Sequence, residues 1–378
     1  MNATLDRLYL LFAWAKRRAL AHLTALFVLL PVALFALALA GYGWWWQVVA
    51  DSVRTNVMNF QAEQTALGRE VKWDAFDVDG FPYRVLGTVS TLNLMAPDRG
   101  ASYNGERIVV HLEPFALNRI AFSLEGQQRV FYARERWIEA TARADRALVT
   151  LSEERHAQHA DLDIGLLTGK AKFDDKDVNF IVEMARGGLT LTDASERETF
   201  ARLDLLARLK NVALQGNVEL PLGSAIAWLD LDIGAKLPGN MAETPGADLV
   251  AAWRTTGTPL EIRRFELEWG GVSIAASGEM KLDQHALPEG RLMLTLGNHP
   301  RILDLLRDNA MITPETQTLA RKVLDVLAFM SGDEKRRVSV PLRIEKGAVY
   351  LGPAVVARLM PEPTAAHLAP FQPPTASP

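Results

Sequence analysis

Apolar and polar positions along this chain follow three regimes, and the changes between them mark its organisation. Between Arg18 and Asp51 there is no Asp, Glu, Lys or Arg, and the 22 residues Ala25–Trp46 lack any strongly polar side chain. As a helix rising ~1.5 Å per residue, that run spans ~33 Å, enough to cross a hydrocarbon core of about 30 Å. Backbone groups in lipid must be satisfied internally, so the run is expected to be a helix. Pro31 would bend it without preventing the span. Beyond it, Val49, Val53, Val57 and Phe60 recur at helical spacing, and Gly68 follows as a C-cap. A helix over 47–68 is therefore expected to extend the membrane helix.

After Gly68 the period falls to two. Ile108, Val110 and Leu112 alternate with Val109 and His111, and Leu229, Leu231, Ile233, Ala235 and Leu237 alternate with Asp230, Asp232, Gly234 and Lys236. The same pattern holds for Phe265, Leu267 and Trp269, for Leu292, Leu294 and Leu296, and for Val338, Val340, Leu342 and Ile344. Such alternation predicts half-buried antiparallel strands. Gly270-Gly271, Ser277-Gly278, Pro288-Glu289-Gly290 and Lys346-Gly347 punctuate them as turns. The expected fold is mainly β with a few helices: an N-terminal transmembrane helix, then an extended, curved antiparallel sheet built as a meander of hairpins. No βαβ order occurs, which argues against Rossmann and TIM-barrel folds. Thr313 is placed to cap a helix starting at Pro314, and Pro300–Asp308 and Asp248–Arg254 are weaker helix candidates. From Pro361 onward, repeated prolines predict a disordered tail. The expected division is 1–18 tail, 19–46 span, 47–68 helix, 69–360 strand-rich body with a sub-boundary near 240–250, and 361–378 tail.

Charge sets the orientation. Arg7, Lys16, Arg17 and Arg18 against Asp6 place four basic residues and one acidic residue before the span, whereas the whole chain carries −4. Positive flanks stay cytoplasmic, so the chain is expected to be a single-pass inner-membrane protein with its N-terminus inside and its body in the periplasm. Trp44, Trp45 and Trp46 then fall at the outer interface. Ala38-Leu39-Ala40 has the form of a signal-peptidase site, but the apolar run exceeds a signal-peptide core and continues into the tryptophans, favouring an uncleaved anchor.

Composition limits the chemistry. The absence of cysteine excludes disulfides, Cys-ligated metals and thiol nucleophiles, and a pI near 6.0 argues against nucleic acid as a partner. His156 and His159, with Glu153, Glu154 and Asp161 nearby, would supply metal ligands if that stretch were helical. Their spacing departs from the i, i+4 pair of a zinc protease, and a solvated turn explains them equally well. Asp174-Asp175-Lys176-Asp177 and Asp230-Leu231-Asp232 read as charged solvent faces. No G-x-S-x-G, G-x-G-x-x-G or P-loop assembles a catalyst, and Gly41-Tyr42-Gly43 lies within the membrane helix. No catalytic, cofactor or metal residue is assigned, and the chain is expected not to be an enzyme. Around Asp79-Gly80-Phe81-Pro82-Tyr83, the aromatics read first as a core anchor and second as a hydrophobic lip near the membrane. The candidate apolar face for a ligand or partner comprises Phe81, Tyr83, Leu267, Trp269, Leu292, Leu294 and Leu296.

The anchor, the Gly80–Val85 bend, the Trp269-Gly270-Gly271 turn and Ser277-Gly278 followed by Met280–Asp283 carry a family resemblance. Pro288–Leu292 and Gly347–Pro353 extend it. Over most of residues 20–360 the chain resembles a bacterial group of inner-membrane-anchored envelope proteins known as a domain of unknown function. It departs at Gly271, where that pattern often has proline, and at the single late proline Pro361, where the pattern has a fuller Pro-Pro ending. More distantly, the strand–turn style is similar to AsmA-like envelope proteins. That likeness implies a role in lipid transport or outer-membrane homeostasis, with lipid or envelope proteins as partners. An exported hydrolase assembled from distant residues and a ligand-free scaffold are the alternatives.

Overall fold

The computed structural model describes residues 3–133, 137–154, 156–173, 176–194, 199–216, 220–238, 253–254, 256–282, 287–308, 312–330, 337–351 and 354–358. The proline-rich tail, Asp174-Asp175, all of 240–250 and Asp248–Ala252 of the weak helix candidate lie outside these residues.

Helix α1 runs unbroken from Ala3 to Ala66, about 96 Å at 1.5 Å per residue. The span and the helix beyond it are thus one element. It ends as its sequence requires: Gly68 takes φ +74, its N–H bonds to the Thr65 carbonyl, and the Arg69 N–H reaches back to the Gln64 carbonyl. That pair of bonds is a Schellman cap.

Among the described residues, eighteen strands form one antiparallel sheet. They are β1 (Glu70–Lys72), β2 (Ala75–Asp79), β3 (Val85–Ala96), β4 (Ala101–Leu112), β5 (Arg119–Ala133), β6 (Trp137–Ala144), β7 (Ala147–Glu154), β8 (Ala157–Ile164) and β9 (Leu167–Phe173). Then follow β10 (Lys176–Thr192), β11 (Phe200–Gly216), β12 (Ala225–Pro238), β13 (Leu260–Trp269), β14 (Val272–Leu282), β15 (Pro288–Gly297), β16 (Val338–Glu345), β17 (Ala348–Leu351) and β18 (Ala354–Arg358). Short strands act as halves of long ones. β1 and β2 both pair with β3, β6 and β7 both pair with β5, and β8 and β9 both pair with β10. Counted that way, each strand pairs with its neighbours in the chain, so the expected meander of hairpins is what forms. β12 and β13 pair directly across the segment where a sub-boundary was expected.

The register carries one apolar row across almost the whole sheet. Directly opposed residues run Val85–Leu112–Ile120–Leu151–Ala160–Leu189–Leu205–Ile233–Ile262–Gly278–Leu292–Leu342. At about 4.8 Å per strand, these eleven steps cover roughly 50 Å. The alternation slips within the longest strands. Ile164 and Leu167, Val182 and Ala185, and Leu209 and Val212 are three apart rather than two, yet all six pack in one cluster. Asn211, at φ +49, lies within one such slip. A residue turned out of the strand conformation shifts the alternation by one, so the apolar side chains stay together across the irregularity.

Helices cover the two ends of this face. At one end α1 lays Trp46, Val49, Ala50 and Val53 against Val85 and Leu112. Their i, i+3, i+4, i+7 spacing makes one helical stripe, and each large side chain so buried contributes about 1.5–3 kcal/mol. At the other end lie α2 (His299–Asp308) and α3 (Pro314–Met330), with Leu303, Leu324 and Ala328 packed on Val338, Val340 and Leu294. The Thr313 hydroxyl accepts the Thr316 N–H at 3.2 Å, the N-cap expected from sequence.

Candidate functional site

Between these two covers no described helix lies on the apolar row itself, and beside it Trp253 packs with Leu191, Ala201, Leu203 and Leu237. Leu151 is 42% exposed and Leu205 37%, while Leu189, Ile233 and Ile262 are half-buried. Next to the α1 end the face sinks into a cavity of about 350 Å³ lined by Leu117, Ile120, Leu151, Ala160, Leu189 and Leu191. Asn118, Ser152, Glu153, Gln158 and His159 form its polar side. That volume lies at the lower end of the ~300–1,000 Å³ typical of small-molecule sites. The composition, an apolar floor with a few polar groups at one side, suits an aliphatic chain with a polar end.

The candidate face residues divide. Leu267, Trp269 and Leu292 are half-buried on the apolar face, and the Trp269 indole N–H donates to the Gly223 carbonyl at 2.7 Å. Leu294 packs in the cluster beneath α2 and α3, and Leu296 is buried. Phe81 and Tyr83 lie at the other end of the sheet, 58% and 87% exposed. Reading them as core anchors therefore fails for Tyr83 and holds only in part for Phe81. Phe81 meets Trp46 edge-on at 5.5 Å and Tyr42 at 6.2 Å.

The segment between β2 and β3 is shaped by Gly80. Its φ is +101, the Arg84 N–H bonds back to its carbonyl at 3.2 Å, and a Cβ there would sit 2.7 Å from the Arg84 carbonyl oxygen. Only glycine fits. The bend presents the Arg84 carbonyl to the Trp46 indole N–H at 3.0 Å and the Pro82 carbonyl to the Tyr42 hydroxyl. A second connection, between β4 and β5, offers the Pro114 carbonyl to the Trp45 indole N–H at 3.0 Å and stacks Phe115 on Tyr42 at 5.6 Å. Sequence reading missed Phe115.

The opposite face is charged, and here one expectation is corrected. Asp230 is not solvated: it is 4% exposed, held by Arg208 at 3.2 Å and Arg264 at 3.4 Å. Arg263 joins Asp232 and Asp204 beside it, and both carboxylates hold the Arg263 guanidinium charged, chiefly through the Asp232 hydrogen bond. The sequence placed these carboxylates on the correct face; neighbouring strands supply arginines that cover Asp230.

The histidines do not converge. His156 stands at the β7–β8 turn and His159 in β8, so they share no helix; His159 Nδ1 is 3.0 Å from the Thr190 hydroxyl. His111 lies on β4, three strand steps or roughly 14 Å from β8, with Nε2 2.8 Å from the Ser123 hydroxyl. Burial, aided by Arg84, lowers its pKa below the ordinary histidine value. Among the described residues no three of His, Asp and Glu gather where a metal ion could be held.

Fold and site together define a class: a strand-rich protein with one N-terminal helix, whose described stretch Ala33–Ala66 is long and apolar enough to cross a membrane, and an apolar sheet face partly covered by helices. The chain belongs to the family DUF2125, an uncharacterized protein conserved in bacteria, whose model matches residues 46–360. No curated protein and no solved structure matches the chain. The likeness to AsmA-like proteins finds no counterpart in these comparisons.

Proposed function

We propose that this is a non-enzymatic protein of the bacterial envelope, anchored in the inner membrane by α1 with its body in the periplasm, and that its open apolar face binds lipid acyl chains. One observation carries the reading. The registered row from Leu151 to Ile262 is apolar at every position, yet no described helix covers it. A contiguous apolar strip left to water is costly at roughly 25 cal/mol per Å², and soluble proteins seldom expose large ones without using them. The row begins beside the helix that would cross the bilayer, so a chain entering at Ile120 would pass from one apolar environment into another.

Native mass spectrometry of the full chain, extracted in mild detergent, tests this. Phospholipid or fatty-acyl adducts that survive detergent exchange are expected. Consistently lipid-free protein contradicts the reading and favours a scaffold.

A further inference from the structure

The two connections that grip α1 carry features that, Leu117 apart, the lipid-binding face does not use. Their outer side chains Phe81, Tyr83 and Phe115 are 58%, 87% and 80% exposed, and Leu117 is 47% exposed. Isolated exposed apolar residues are ordinary, but four on two adjoining tips form a patch. The tips touch α1 between Tyr42 and Trp46, where the uncharged run ends. That turn of helix rises about 6 Å, close to the thickness of one headgroup layer. Trp and Tyr side chains prefer this depth.

Behind the tips, on the opposite face from the apolar row, is a second cavity of about 530 Å³. Arg84, Arg119, His111, Glu113 and Thr150 line it, and Tyr83 and Phe115 stand at its rim. Neither arginine makes an ion pair or side-chain hydrogen bond among the described residues, although most arginines on the sheet are paired. Two guanidinium groups against the one carboxylate of Glu113 leave an excess of positive charge, and guanidinium suits phosphate oxygens. Glu125, outside the cavity lining, is the carboxylate that acts on His111.

We propose that these tips sit in the headgroup layer of the membrane that α1 crosses, and that Arg84 and Arg119 bind the phosphate of a phospholipid there. This rests on the membrane-anchor reading and is independent of lipid on the apolar row. The structure then has two lipid contacts at its base, an aromatic collar that fixes its height and a cationic pocket that holds a headgroup.

The chain has no cysteine, so each introduced cysteine is unique. Single-cysteine variants at Leu39, Tyr83, Phe115 and Glu266 would carry an environment-sensitive fluorophore in the full chain, reconstituted in phosphatidylcholine vesicles containing phosphatidylglycerol. Quenching by headgroup-level spin-labelled lipid is expected at 83 and 115 and not at 266, with deeper quenching at 39. A photoactivatable phosphatidylglycerol should crosslink the wild type and lose about tenfold in the Arg84→Gln/Arg119→Gln variant, with partial recovery in the double Lys variant. If 39 is quenched while 83 and 115 are not, the seating is wrong and the anchor stands. If 39 is also unquenched, the anchor fails and the proposal falls with it. Unchanged crosslinking in the Gln variant overturns the headgroup assignment. So does displacement of the photolipid by inorganic phosphate beyond a chloride control of equal ionic strength, because that outcome marks a site for a free anion.

Discussion

Trp46 donates its indole N–H to the Arg84 carbonyl across 3.0 Å, joining α1 to the first long strand of the sheet. Trp46 is 5% exposed, so the bond is shielded and its ring packs against Phe81. Through this contact the height and tilt of the sheet follow those of the helix. A flexible tether would leave the apolar row pointing anywhere; this junction directs its first residues toward the anchor.

Trp46→Phe keeps most of the ring and removes the donor, so a loss of about 1 kcal/mol is expected. Trp46→Ala also opens a cavity beside Val85 and should cost about 3–5 kcal/mol. Hydrogen exchange of β3 amides in detergent-solubilised full chain checks both. Equal protection in wild type and Trp46→Ala would show that the junction does not hold the sheet.

Asp230→Ala deprives Arg208 and Arg264 of their shared carboxylate. Both guanidinium groups are about half exposed and regain water, so the expected loss is about 1–2 kcal/mol rather than that of a deeply buried pair. Denaturant titration measures it, and an unchanged midpoint would mean that the ion pairs add nothing to cohesion among β11, β12 and β13.

Acid should loosen the end of α1. Arg69, just past the helix cap, bonds the Asp98 carboxylate at 2.7 Å, and that hydrogen bond holds the Asp98 pKa below the usual carboxylate value. A lowered folded-state pKa contributes stability that is present above the unfolded value and lost as pH falls through the folded one. Exchange protection of the Gly68 and Arg69 amides, corrected for intrinsic rates, is expected to fall between neutral pH and a pH below Asp98's lowered pKa. Asp98→Asn should flatten the change. A pH-independent ratio would contradict it.

On the open face, Leu205→Glu is expected to abolish co-purifying lipid while leaving strand content unchanged, because Leu205 already meets water and the fold does not depend on hiding it. Leu206→Glu, on the opposite face of the same strand, is the control and should retain lipid. Equal loss in both would indicate general damage to the sheet.

Much of this architecture was legible in the sequence because its signals are local. The uncharged run, the Gly68 cap, the Thr313 cap and the two-residue alternation each act within a few residues. What escaped was decided between strands. Leu205 and Leu206 are adjacent and both apolar, so the alternation that places Leu205 in the open row is invisible in β11 alone. The three-residue slips interrupt the period that marks a strand. Asp230 is buried by arginines 22 and 34 positions away, which one strand's pattern cannot show. Phe115 sits in a connection without any period, and only its contact with Tyr42 gives it a role. Leu294 alternates as Leu292 does, and only the packing of α2 and α3 covers the one and not the other.

The open row is proposed to be a lipid path. A photocrosslinking amino acid placed at Leu205, and in a second variant at Arg208 on the charged face, reads this directly in membranes of living cells. Lipid adducts at 205 and none at 208 are the predicted result. No adduct at 205, or equal adducts at both positions, would contradict it.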